Sequence, residues 1–297
     1  MYKGTCLCGT VTFEITAELS NLLHCHCTFC RKAHGASFVT FASAPFEAFR
    51  FTSGQDHMAP GAGPGRLDRH FCSICGTSMP FEEAGALSVP IGLLTDPCPA
   101  VAVGHIFVGS RAPWYEITDD VQQYAEFPAS MNRKVFDTPA SHPSDNPGGS
   151  CLCGQVSFEI TETPLGMMNC HCDRCKRSRG AAYATNLFVT ASGFQWLTGA
   201  DDVKQYKLPD AERFGAAFCG NCGSLMPKVR KDAETINIPA GCLNGDPGVR
   251  PGPTFTPQTK PTGSRSRTTC PGTNRAYHAS APSPRNLAKR DIRDLGL

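Results

Sequence analysis

Gly4-Thr5-Cys6-Leu7-Cys8-Gly9-Thr10-Val11-Thr12-Phe13-Glu14-Ile15-Thr16 returns as Gly149-Ser150-Cys151-Leu152-Cys153-Gly154-Gln155-Val156-Ser157-Phe158-Glu159-Ile160-Thr161. Two more stretches repeat in the same order. His24-Cys25-His26-Cys27-Thr28-Phe29-Cys30 returns as Asn169-Cys170-His171-Cys172-Asp173-Arg174-Cys175. Phe71-Cys72-Ser73-Ile74-Cys75-Gly76-Thr77 returns as Phe218-Cys219-Gly220-Asn221-Cys222-Gly223-Ser224. Order and separation are kept, so a whole domain is duplicated rather than a short solenoid unit.

The first copy is assigned to 1–127 and the second to 148–250. The stretch 128–147, with Pro128, Pro139, Pro143 and Pro147 and no periodicity, reads as a linker. Within each copy the apolar pattern has period two. Val11 to Thr16 alternates between faces, and Ser37–Ser43, Phe49–Ser53, Thr77–Phe81 and Leu87–Ile91 favour strand. Tyr183–Val189, Phe194–Thr198 and Thr235–Ile238 do the same in the second copy. A helical turn over Arg31-Lys32-Ala33-His34 should end at Gly35, with Gly180 as its match. The fold class expected is mainly β.

With 297 residues, 40% of them hydrophobic, the chain can build two cores. No apolar run is long enough to span a bilayer, and the first residues lack a secretory apolar stretch, so a cytoplasmic protein without membrane contact is expected. In such a compartment 17 cysteines, an odd number, point away from a disulfide framework and towards metal.

Each copy repeats seven of these cysteines as Cys-x-Cys, Cys-x-Cys-x-x-Cys and Cys-x-x-Cys. Thiolate is a soft ligand that suits zinc. Seven divides into four, which close a tetrahedral site, and three, which leave a position open. The middle group is compact enough to form the open site by itself. The metal ligands assigned are therefore Cys6, Cys8, Cys72 and Cys75 with Cys25, Cys27 and Cys30 in the first copy. In the second they are Cys151, Cys153, Cys219 and Cys222 with Cys170, Cys172 and Cys175. That makes two zinc ions per domain. Other readings of the middle group stay open: His26 or His171 closing a second structural site, an iron–sulfur cluster, or a redox disulfide. Cys98 and Cys242 lie beyond these groups and should pack as small apolar side chains.

Gly-[Ser/Thr]-Cys-x-Cys-Gly-x-Val-x-Phe, then Cys-His-Cys-x-x-Cys-[Arg/Lys], then Phe-Cys-x-x-Cys-Gly-[Thr/Ser], resembles the glutathione-dependent formaldehyde-activating enzyme family, shared with centromere protein V. His105-Ile106-Phe107-Val108-Gly109-Ser110-Arg111-Ala112-Pro113-Trp114-Tyr115 resembles that family's closing segment. The resemblance implies two tandem Mss4-like β-tent zinc domains. It also implies a carbon–sulfur lyase that joins glutathione and formaldehyde reversibly as S-hydroxymethylglutathione. The open zinc would then lower the pKa of the incoming thiol. Arg31, Lys32, Lys176 and Arg177 would meet glutathione carboxylates or simply lie on a solvated surface, the second being favoured. His26 or His171 would shuttle a proton or pack behind the ligands. A non-catalytic, zinc-stabilised binding module is the alternative function.

The last segment departs from the repeat. Where the second copy should close, Thr262 to Pro271 reads Thr-Gly-Ser-Arg-Ser-Arg-Thr-Thr-Cys-Pro. Suitable codons for those residues, shifted by one base, spell Trp-Phe-Glu-Ile-Thr-Asp-Asp-Leu-Pro, which mirrors Trp114-Tyr115-Glu116-Ile117-Thr118-Asp119-Asp120. A frameshift beginning near 250–253 is inferred, and 251–297 is expected to be a disordered tail. Its eight Lys/Arg against two acidic residues then reflect the frame and give no support to a nucleic-acid partner. The first copy, carrying the complete pattern, is expected to be the better catalyst.

Overall fold

The computed structural model describes residues 1–63, 69–83, 85–128, 131 and 146–252. The molecule is mainly β, as the period-two pattern requires. In the first copy, Tyr2–Thr5, Thr12–Ile15 and Phe49–Ser53 form an antiparallel three-stranded sheet. Phe13 and Ile15 point inward and are almost fully buried, while Thr12 and Glu14 stay at the surface, as alternation dictates. A five-stranded sheet runs in the order Ala102–Ile106, Ser20–Cys25, Val39–Pro45, Ala86–Pro90, Phe81–Glu83. Met58–Pro60 and His70–Cys72 make a separate ribbon.

The second copy repeats this plan. Gly148–Ser150, Ser157–Ile160 and Phe194–Thr198 form the three-stranded sheet. Thr235–Pro239, Ala184–Thr190, Gly166–Cys170 and Pro251–Gly252 form the larger one. Val203–Lys207 pairs with Gly215–Cys219. Pro251–Gly252 runs parallel to Met167 and Met168, the counterpart of Ala102–Ile106 on Ser20–Cys25. Order thus extends two residues past 250. The rest of the tail, and most of 128–147, lie outside the described residues.

Each copy has one short helix among the described residues, α1 (Thr28–His34) and α2 (Asp173–Arg179). Both end at a left-handed glycine, Gly35 (φ 61°) and Gly180 (φ 56°), as expected. Thr77–Phe81, expected as a strand, is one only at its end: Phe81 opens the edge strand Phe81–Glu83, while Ser78 makes an isolated bridge to Phe71. Its polar groups are drawn elsewhere. Thr77 Oγ1 accepts the Leu7 N–H, and the Ser78 hydroxyl donates to the Ala33 carbonyl, so the first residues wrap a cysteine turn before the chain enters the sheet at Phe81.

The two copies are not beads on a string. Each core continues into the other half. Ala216, Phe218 and Leu225 of the second copy join Phe71, Cys72 and Met79 of the first. Phe29, Ala33, Ala112 and Trp114 of the first join Leu152, Phe158 and Ile238 of the second. The Phe71 and Phe218 rings meet edge to face across the boundary, 6.1 Å between centroids. Gly76 (φ 74°) and Gly223 (φ 72°) lie against those rings, Gly76 under Phe218 and Gly223 under Phe71, so neither position has room for a Cβ.

Lys32 is 2% exposed, and its Nζ donates to the Ser150 carbonyl, the Ser150 hydroxyl and Asn244 Oδ1 of the second copy. Burial lowers its pKa to about 8. Both readings of this lysine from sequence are corrected here. It is neither solvated nor free to meet a substrate carboxylate, because three acceptors of the other half hold it. Arg31 is buried as well, donating to Thr28 Oγ1. Of their counterparts, Lys176 pairs with Asp173 and Arg177 is half-buried.

Candidate metal centres and the site beside them

The cysteines converge in four groups. Cys6, Cys8, Cys72 and Cys75 place their sulfurs within 4.8 Å of one another, as do Cys151, Cys153, Cys219 and Cys222. Local structure explains the convergence. Cys6 and Cys8 sit on the turn between the first two strands, closed by Cys6 N–H to the Val11 carbonyl. Cys72 and Cys75 sit on a turn closed by Gly76 N–H to the Cys72 carbonyl, which leads away from the ribbon. The two turns face each other. In the first group Cys6 and Cys8 are 3.3 Å apart and Cys8 and Cys72 3.7 Å. In its counterpart the matching distances are 3.4 and 3.9 Å.

These distances test the fit to metal. A disulfide needs about 2.05 Å between sulfurs. A zinc ion with four sulfurs at about 2.3 Å needs tetrahedral edges of about 3.8 Å. The observed spacings lie near the second figure and far from the first. Donor groups stabilise charge on the sulfurs: Val11 N–H reaches Cys6 Sγ at 3.4 Å, Val156 N–H reaches Cys151 Sγ at 3.3 Å, and Asn221 Nδ2 reaches Cys153 Sγ at 3.4 Å. Hydrogen bonds from Cys6 and Cys72 lower the Cys75 thiol to about 7, and those from Cys151 and Cys219 lower Cys222 to about 6.

The middle cysteines form the other two groups, Cys25, Cys27 and Cys30 and Cys170, Cys172 and Cys175, again within 4.8 Å. Cys25 ends the strand Ser20–Cys25, Cys27 caps α1, and Cys30 lies in its first turn, where its N–H donates to Cys27 Sγ at 3.3 Å. Among the described residues no histidine or carboxylate joins either trio. His26 instead pairs its Nε2 with His105 Nδ1 at 2.8 Å, and His105 Nε2 lies 3.0 Å from Asp119 Oδ1. Burial lowers His26 to about 3, and its buried Nδ1 has no hydrogen-bond partner among the described residues. This Asp119–His105–His26 chain was not read from the sequence. His105 and Asp119 are 14 residues apart and belong to the closing segment, whose path back to the trio no local pattern announces. His171, by contrast, is exposed and packs on Tyr183.

The trios differ in access. Cys25 and Cys30 are buried (5% and 3% exposed), and Arg69 Nη2 donates to Cys30 Sγ at 3.1 Å while its guanidinium lies 4.6 Å over the Phe81 ring. Cys170, Cys172 and Cys175 are all partly exposed. The second trio is thus the more accessible of the two. Cys242 is fully buried in the core, at the position of Leu93, and Cys98 is half-buried against the first core, so both pack as expected.

Thiol clusters of this spacing on a duplicated β scaffold fit the class of cysteine-ligated metal proteins. The chain belongs to the glutathione-dependent formaldehyde-activating enzyme family, whose model matches residues 1–110 and 146–258 and so covers both copies. A relative from Schizosaccharomyces pombe, named as an uncharacterized lyase, is 32% identical over 85 residues. That stretch is 27% of this chain and 56% of the relative, so the chain spans just over half the length of the relative it matches. A solved structure of a Rhodobacter sphaeroides protein is 25% identical over 33% of this chain and 89% of that one, with a TM-score of 0.26. Among the described residues no helix is long and apolar enough to cross a membrane.

Proposed function

We propose that the chain is a zinc-dependent carbon–sulfur lyase acting on a glutathione–aldehyde adduct of the S-hydroxymethylglutathione type. The four-cysteine groups would hold structural zinc and the trios an open zinc, two ions per copy. The observation that carries this reading is the difference in ligand number: four sulfurs converge at one site and three at the other, with no fourth protein ligand among the described residues. Zinc in a trio would supply acidification of the substrate thiol. In the forward direction a carbon–sulfur bond forms between the glutathione sulfur and the formaldehyde carbon. The carbonyl π bond becomes a C–O single bond, and the thiol proton ends on the new hydroxyl. His171, exposed and beside the second trio in sequence, offers a route for that proton, whereas His26 is held by His105 and through it by Asp119.

A specific observation favours a structural role for one of the trios. Cys25 and Cys30 are buried and Arg69 occupies Cys30, so that site has the enclosure of a folding clip. The test of the lyase reading is incubation of the reduced, zinc-loaded chain with glutathione and formaldehyde, following the hydroxymethyl methylene by NMR. Acceleration over the spontaneous rate is expected, and its absence rejects this substrate pair.

A further inference from the structure

The two copies differ around their trios at positions whose counterparts the repeat fixes. Arg69 becomes Ala216, Phe81 becomes Lys228, Glu83 becomes Arg230, Phe41 becomes Asn186 and His34 becomes Arg179. The changes act together. In the first copy the Arg69 side chain fills the space between Cys30, His34 and Phe81. In the second copy Ala216 leaves that space empty, and a cavity of about 370 Å³ opens there.

Cys175 of the second trio lines this cavity, which places it in direct continuity with the candidate metal centre. Four cationic residues line it too: Arg179, Arg213, Lys228 and Arg230. Among the described residues no aspartate or glutamate does. Arg179 is only 9% exposed, and its Nη2 is held by Asn186 Oδ1 at 2.9 Å, with no carboxylate paired to it among the described residues. Its buried guanidinium faces the sulfurs of Cys175, Cys242 and Cys170 rather than a carboxylate, and an anion in the cavity would complete it. Asn237 and Thr235 add neutral polar groups to the wall. The volume falls in the range of small-molecule sites, roughly 300–1,000 Å³.

We propose that this cavity binds the carboxylate-bearing end of a small peptidic thiol whose sulfur is directed at the Cys170, Cys172 and Cys175 trio. The first copy, plugged by Arg69, does not bind that ligand, and the chain takes one ligand rather than two. Arg179 and Arg230 supply the paired donors that a carboxylate accepts. The Arg230 counterpart in the first copy is Glu83, which carries the opposite charge. The proposal rests on the lyase reading for the placing of the sulfur, and its test separates the two.

S-methylglutathione keeps both carboxylates and cannot form the adduct. Calorimetric titration of the full, reduced, zinc-loaded chain with it should show one site. Its dimethyl ester should bind about tenfold more weakly or worse, and Arg230→Glu, a change at an exposed position, should cost a similar factor. Ala216→Arg should remove binding by refilling the cavity, with the melting profile confirming the fold. Two equivalent sites, no saturable binding, or an affinity indifferent to both Arg230→Glu and esterification would overturn the proposal. Binding as described without catalysed adduct formation would leave the pocket standing and sink the lyase reading. Catalysed adduct formation with binding indifferent to both Arg230→Glu and esterification would do the opposite.

Discussion

Replacing Gly76 by alanine should weaken the whole chain, because the added methyl meets the other copy. Gly76 has φ 74°, and a Cβ built there would overlap the Phe218 ring. Two costs add. Holding an L-residue in the left-handed region costs about 1–2 kcal/mol. Forcing a methyl into a packed aromatic contact costs about 1–3 kcal/mol more. The sum is about 2–5 kcal/mol, a large part of the ~5–15 kcal/mol that ordinarily separates folded from unfolded chains. Gly248 supplies the control. Its φ is 77°, and a Cβ there has nothing within 4 Å, so Gly248→Ala should show the backbone cost alone. Urea unfolding of both variants, zinc-loaded and reduced, gives the difference directly. Equal losses in the two variants would refute the claim that the copies press on one another at Gly76. A larger loss at Gly76 by about 1–3 kcal/mol supports it.

Trp114 is 1% exposed and packs among core residues of the second copy, so Trp114→Ala should cost about 3–5 kcal/mol in the same assay. A loss confined to the first half, read by hydrogen exchange, would count against the shared core. Lys32→Ala should cost about 1–3 kcal/mol by removing the ammonium donor shared by the Ser150 carbonyl, the Ser150 hydroxyl and Asn244, and an unchanged midpoint would contradict the cross-copy contact. After chelation of metal under reducing conditions, alkylation mapped by peptide mass should reach Cys170, Cys172 and Cys175 before Cys25 and Cys30. Simultaneous labelling would remove the difference in access on which the pocket argument depends.

What the sequence disclosed follows from which interactions are local. Phe49–Ser53 and Phe194–Thr198 are strands with the expected bounds, because alternation records which face is buried. The grouping of cysteines was legible because chemistry restricts how seven thiols can share tetrahedral ions. Ser20–Cys25 and Gly166–Cys170 were not read as strands, since each ends in a cysteine cluster and lies between two partners that mask its polarity pattern. The fate of Lys32 was hidden for a different reason. Beside Arg31 it looks like a surface pair, and only the packing of α1 on the turn at Ala240–Cys242 turns it inward. The cavity at Cys175 also depends on a partner position, Ala216, that lies 41 residues further along the chain. A comparison of the copies would have flagged it, since Arg69 and Phe81 change together with their neighbours.

The count of zinc ions on the intact chain bears most directly on the account. Native mass spectrometry of the reduced full-length protein is expected to show four zinc ions. Cys72→Ala and Cys175→Ala should each remove one, the first with loss of stability and the second with the fold retained. A metal-free chain, or a mass showing cysteines paired as disulfides in the active protein, would contradict it.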